Sequence, residues 1–248
     1  MPTRTPIKIV ADQKIFFEYN PSHRYALGAD ISGGVGLDSS TAIIIDFDTI
    51  PARVVATYKT NTTKPDIFGD ELARQGTRFG ECLIAPEKNN HGHATIGRLK
   101  QIYPIDKIYQ TERPEDRVKQ RIEISSAEFG WETNALTKPK MLFALAKAIE
   151  DGLLTIPDPD VKAELKAYTR NDLMDREVDP RLTTRHFDFL TAVAITWQMK
   201  DSPLLSIQKV EPPRQREKPK ALLEFESPLG DNTFRGMDGE HNDMPFDE

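Results

Sequence analysis

Apolar side chains cluster in three dense runs near the start of the chain, at 25–30, 41–48 and 53–59, parted by short polar or glycine-rich breaks. Their β-branched content and tight spacing predict an antiparallel three-stranded meander. From residue 65 the period changes. Ile67, Leu72 and Phe79 fall at helical intervals, which predicts a helix over 65–79. A short apolar run at 81–87 is of buried-strand type, residues 94–102 resume helical spacing, and 107–110 is a brief strand. Thr137 as cap and Pro139 in the first turn open a helix. It carries Met141, Leu142, Leu145 and Ile149 and stops at Gly152. A short strand at 153–156, a helix at 161–168, a charged loop with a small hairpin at 169–185 and a last helix at about 187–200 complete the pattern.

This order predicts an α/β or α+β mixed sheet covered by helices. Residues 1–20 are polar with two prolines and are expected to be a leader or interdomain linker remnant; 21–202 form the folded domain. Beyond it Pro212, Pro213, Pro219 and Pro228 punctuate an apolar-poor stretch, so 203–248 is expected to be a disordered tail.

Composition narrows the function. The 248 residues suffice for one domain with tails. No run approaches the roughly 18 to 20 apolar residues of a membrane helix, and the first residues lack a signal-peptide core. One cysteine, Cys82, excludes an internal disulfide and a cysteine-built zinc site. The net charge of −6 is concentrated in residues 204–248, so charge neither supports nor excludes a nucleic-acid substrate. Gly33, Gly34 and Gly36 match neither the dinucleotide fingerprint nor the P-loop, and no Gly-Lys-Ser/Thr occurs. No Ser-His-Asp combination has a recognisable spacing.

Three acids stand out by position. Asp30 ends the first predicted strand, Glu87 ends the run 81–87, and Asp188 opens the last helix on the stripe of Ala192, Ile195 and Met199. Each has an ordinary explanation: a turn residue, a loop residue, an acid favoured by the helix dipole. Yet an acid at the end of a buried strand is costly unless a metal or a basic partner compensates it. Asp30, Glu87 and Asp188 are therefore expected to converge and hold divalent cations, with Asp38 as an auxiliary ligand. Asp46 is expected to face water. Asn90 or His91 caps the following helix. His91 and His93 lack a third nitrogen ligand, and His186 is placed to touch a phosphate or the metal shell. Hard ions such as Mg²⁺ and Mn²⁺ prefer oxygen donors. Two of them, roughly 3.5 to 4 Å apart, can activate water and stabilise a leaving 3′ oxygen.

These stretches, over about 22–200, resemble the nuclease domain of the large terminase subunit of tailed bacteriophages, a ribonuclease H-like family. The landmarks are Leu27 to Asp30 with Asp38 to Ala42, Ile84 to Gly92, Trp131 to Thr133 with Thr137 to Lys140, and His186 to Ala192. Many relatives carry two adjacent acids at the third position; here Phe187 precedes Asp188. The resemblance implies a ribonuclease H-like mixed sheet, an antiparallel meander plus parallel strands flanked by helices. It implies two Mg²⁺ or Mn²⁺ ions on Asp30, Glu87 and Asp188, with Asp38 as helper. Lys138, Lys140, Asn90 and His186 become DNA contacts. The implied activity is endonucleolytic cutting of double-stranded concatemeric viral DNA during packaging, in the host cell cytoplasm. The implied partners are a packaging ATPase domain of the same full-length protein, the portal and the small terminase subunit. Two other classes share parts of the pattern. An actin-like sugar or acetate kinase also opens a meander with Asp and Gly-Gly, but needs a second duplicated domain. A non-catalytic assembly module would keep the fold without the chemistry.

Overall fold

Alternation along the central strands gives the sheet two apolar faces. In β3 (Tyr25–Asp30) the side chains of Tyr25, Leu27 and Ala29 join one buried cluster and Ala26 the other. In β4 (Ser40–Asp46) Ala42 and Ile44 join the first, Ile43 and Ile45 the second. With β5 (Ala52–Thr60) these strands form the expected antiparallel meander, and β6 (Leu83–Pro86) runs parallel to β3. Helices cover both faces, which is why the strands are almost continuously apolar. The structure, a computed structural model, describes residues 3–34, 36, 38–111, 128–168 and 187–206.

The first face is closed by α1 (Pro65–Arg78) through Phe68 and Leu72 and by α2 (Gly92–Ile102) through Ile96 and Leu99. The second is closed by α3 (Thr137–Glu150), α4 (Pro159–Ala167) and α5 (Asp188–Gln198). A two-stranded pair, β7 (Gln110–Thr111) and β8 (Glu128–Phe129), lies beside β6, and β9 (Leu154–Thr155) pairs in parallel with the start of β5. A short α6 (Pro203–Ser206) buries Leu205. Residues 207–248 and the predicted hairpin at 169–185 lie outside the described residues. No described helix is long and apolar enough to cross a membrane.

The segment expected as a leader belongs to the sheet. β1 (Lys8–Val10) and β2 (Gln13–Ile15) form a hairpin that pairs with β5, giving the order β1-β2-β5-β4-β3-β6. Phe17 fastens it from the side, with the guanidinium groups of Arg4 and Arg53 over its ring at 4.6 and 4.3 Å. Asp46, expected in water, is fully buried. It accepts from His23 Nδ1 at 2.8 Å and Arg53 Nη2 at 3.1 Å. Those partners come from a loop and a neighbouring strand, and they replace the water that a strand-end carboxylate needs.

Two local features aim the site. Gly28 lets α5 lie directly on β3: a Cβ there would fall 2.3 Å from Thr196 Oγ1 and 2.9 Å from Ala192 O. In β5 the register slips. Ile44 pairs with Ala56 but Ile45 pairs with Val54, so Val55 is an extra residue, a β-bulge. Such an insertion inverts the alternation beyond it. Val54 belongs to the α5 face, whereas Ala56 and Tyr58 belong to the opposite one. Thr57 and Lys59 are thereby turned toward α4 and α5.

Candidate metal centre

The strand registers lay four residues in one row across the sheet. Asp30 pairs with Thr41, and Thr41 pairs with Lys59. On the other side Ala29 pairs with Pro86, and Glu87 N donates to Ala29 O at 2.8 Å. Glu87, Asp30, Thr41 and Lys59 thus cross four adjacent strand positions, each about 4.8 Å from the next. Asp30 shares the phase of Ala26, and Glu87 that of Leu83 and Ala85, so both belong to the α5 face. Asp188 arrives on the first turn of α5, which Thr41 pins by donating from Oγ1 to Asp188 O at 2.9 Å.

The three predicted acids are therefore brought together. Burial pushes the Asp30 carboxyl well above the usual carboxylate range. The Glu87 charge, a hydrogen bond shared with Glu87, and the Asp188 charge add to that, against a backbone hydrogen bond from Ile31. Glu87 is 8% exposed and accepts from Asn89 Nδ2 at 2.9 Å. Asp188 is 9% exposed, and Lys59 Nζ stands 3.4 Å from its Oδ2. Among the described residues no three His, Cys, Asp or Glu side chains are already grouped as a ready-made metal site. Asp30 and Glu87 share a hydrogen bond, and Asp188 Oδ2 faces the Lys59 ammonium. The donor set itself, carboxylate oxygens in one another's field and largely out of solvent, suits a hard divalent ion.

Asp38 is exposed, and its main-chain oxygen accepts from Ser32 Oγ at 3.0 Å. Asn90, His91, His93, Lys138 and Lys140 are exposed, and His186 lies outside the described residues. Neither Asn90 nor His91 caps α2. Asn89 does, its Oδ1 accepting from Gly92 N at 2.7 Å and His91 N at 3.1 Å. Its Nδ2 meanwhile donates to Ile31 O and Glu87 Oε2, so one side chain ties together the two loops that follow Asp30 and Glu87. Thr137 likewise starts α3 without capping it; Asn134 Oδ1 takes the N–H groups of Leu136 and Thr137, both at 2.9 Å.

Two charged residues at the site were not singled out from sequence. Lys59 pairs with Glu164 at 3.0 Å as well as with Asp188. Glu164, from α4, accepts the backbone N–H groups of Phe189 at 2.8 Å and Leu190 at 3.3 Å. Burial raises its carboxyl above the ordinary range, against the pull of Lys59. Lys59 gave only the signal of a charge closing an apolar run, and Glu164, on a helix that also carries Asp160, Lys162 and Lys166, gave none.

A scan against protein-family models finds no match, and neither does a search among curated proteins. Solved structures do match. The large terminase nuclease of thermophilic phage G20c, with bound zinc, superposes with a TM-score of 0.55 at 15% identity, over 79% of this chain and 93% of that one. Its magnesium-bound form gives 0.56 at 16%, over 79% and 92%. The large terminase nuclease domain of Thermus phage P74-26 gives 0.55 at 17%, over 80% and 90%. The chain has the ribonuclease H-like fold of these nuclease domains.

Proposed function

We propose that this chain is a metal-dependent endonuclease that cuts double-stranded concatemeric viral DNA during genome packaging. The observation that carries the reading is the convergence of Asp30, Glu87 and Asp188 at one end of β3, where Asp30 is buried in the field of the other two carboxylates. The fold likeness to terminase nucleases, whose solved forms include zinc-, cobalt- and magnesium-bound ones, supports it.

In this reading Asp30, Glu87 and Asp188 hold two Mg²⁺ or Mn²⁺ ions, with Asp38 as an auxiliary ligand. When bound, such ions supply an activated water and offset charge on the leaving 3′ oxygen. The chain's own residues do the rest. Asn89 orients Glu87, Thr41 fixes the first turn of α5 and hence Asp188, and Gly28 sets how close α5 approaches. Lys138, Lys140, Asn90 and His186 contact the DNA backbone, which fixes position but carries no sequence information directly. The partners are the packaging ATPase domain, the portal and the small terminase subunit, in the host cell cytoplasm.

A plasmid-nicking assay with Mn²⁺ tests the proposal. The wild-type chain should cut and Asp30→Ala should not. Equal cutting by both would place the activity elsewhere, and no cutting by either would favour the non-catalytic module. ATP binding in a titration without cleavage would favour the kinase-like reading.

A further inference from the structure

Lys59 stands in the same row as the carboxylates with the opposite charge, and the proposed reaction gives it no task. Three groups hold it. Its Nζ is 3.0 Å from Glu164 Oε1, 3.4 Å from Asp188 Oδ2 and 5.1 Å from the centroid of the Phe189 ring. Glu164 is itself fixed to the first turn of α5 by the N–H groups of Phe189 and Leu190, so the anchor moves with the helix that carries Asp188. Lys59 reaches this face only because Val55 is an extra residue in β5.

An ammonium and a divalent cation repel strongly when both press on one carboxylate in a partly desolvated site. We infer that Lys59, anchored by Glu164, is the built-in counter-ion of Asp188: it neutralises and orients that carboxylate while no metal is bound, and it competes with the divalent cation for it. Lys59 is thus a positioning residue that acts through Asp188. Glu164 is its closer partner, so the ammonium keeps an ion pair when Asp188 turns to a metal. The cleft of ≈ 470 Å³ that Lys59, Glu164 and Phe189 help to line leaves the long side chain room to withdraw.

The inference rests on the metal-site reading above, and its test separates the two. Binding of Mn²⁺ alone to the full chain is followed by the loss of the free-ion electron paramagnetic resonance signal, and melting is recorded in EDTA and in saturating Mn²⁺. Lys59→Met should bind Mn²⁺ about ten-fold more tightly than wild type, melt lower in EDTA, and gain more from Mn²⁺. Lys59→Arg, which keeps the charge, should restore wild-type affinity to within about two-fold. Glu164→Gln, which frees the ammonium to press on Asp188, should weaken Mn²⁺ binding, and it keeps the idea testable if Lys59→Met does not fold. Mn²⁺ binding by wild type with equal or weaker binding by Lys59→Met, or unweakened binding by Glu164→Gln, overturns the counter-ion role alone. Absence of Mn²⁺ binding to wild type and variants alike overturns the metal site and this role with it.

Discussion

Gly28 and Thr196 touch where no side chain could fit between them: a Cβ on Gly28 would lie 2.3 Å from Thr196 Oγ1 and 2.7 Å from Thr196 N. Strand and helix backbones meet here about half a helical turn before α5 ends at Gln198, and the contact sets the height of the helix over Asp30. Two of the three atoms that crowd the position are main-chain, so the helix must lift to admit a methyl group. Gly28→Ala is expected to cost about 3 kcal/mol and to lower Mn²⁺-dependent nicking beyond the loss of folded protein. Denaturant unfolding and nicking per folded molecule measure the two effects. Unchanged stability would refute the close approach.

Thr41 makes the second fastening of α5, through its hydroxyl to Asp188 O. Thr41→Val keeps the shape and the β-branch but leaves that contact unmade. The expected loss is about 1 kcal/mol, with a larger proportional fall in nicking, because the first turn of α5 is where Asp188 is aimed. A variant as active per folded molecule as wild type would show that the hydrogen bond does not position the acid.

The sequence pattern makes some of this site legible and hides the rest for physical reasons. β3, β4 and β6 are buried on both faces, so their acids at the ends are conspicuous, and Asp188 shares a stripe with core residues of α5. The β1–β2 hairpin is different. β1 is an exposed edge held mainly by main-chain pairing, which leaves no apolar alternation to read. The burial of Asp46 cannot be read from its strand because its partners, His23 and Arg53, come from outside that strand. Lys59 faces the site only through the bulge at Val55, and a bulge inside a run of small and β-branched residues has no local signature. Glu164 lies on a helix 105 residues further along the chain than Lys59.

Asn89 serves α2 and Glu87 with opposite ends of one amide. The two jobs can be separated. Asn89→Asp keeps an oxygen for Gly92 N and His91 N but loses the donor to Glu87, whereas Asn89→Ala loses both. Asn89→Ala should therefore cost about 1 kcal/mol as a lost cap, and Asn89→Asp more, because the cap it keeps is outweighed by a second carboxylate set against Glu87. Both should cut poorly, since Glu87 has lost its donor in each. Melting and nicking assays on the pair decide it; full activity in Asn89→Asp would mean that Glu87 needs no such support.

Arg24 grips Asp48 from its backbone N–H, its Nε and its Nη2, and these bonds hold the Asp48 carboxyl below the usual carboxylate range. A folded pKa below the unfolded one stabilises the protein above the unfolded value, about 3.9, and the gain is lost as pH falls through the folded pKa. The pair is partly exposed, so the effect is modest. Arg24→Met should be less stable than wild type at pH 6, and the difference should shrink below about pH 4. A constant difference across that window, followed by thermal melting, would mean that the ion pair is not its source.

Asp30 and Asp46 sit at opposite ends of neighbouring strands, since Asp46 pairs with Tyr25 and Asp30 with Thr41. Their carboxylates are buried for opposite reasons. Asp46 is satisfied by His23 and Arg53, so Asp46→Asn leaves a guanidinium without its charge partner and should cost about 3 kcal/mol. Its surviving folded fraction should nick DNA normally, because the network lies away from the carboxylate cluster. Asp30 is held beside Glu87 and Asp188, whose charges oppose its own. Asp30→Asn removes that repulsion while keeping the shape and a hydrogen-bonding partner for Glu87. In metal-free buffer at neutral pH it should raise the melting temperature and abolish nicking. The two substitutions are the same chemical change, so any general effect of losing a carboxylate would move both proteins alike. Only a site that gives up stability to gather like charges predicts opposite signs. A lowered melting temperature for Asp30→Asn in EDTA would mean that Asp30 serves the fold and not a cation.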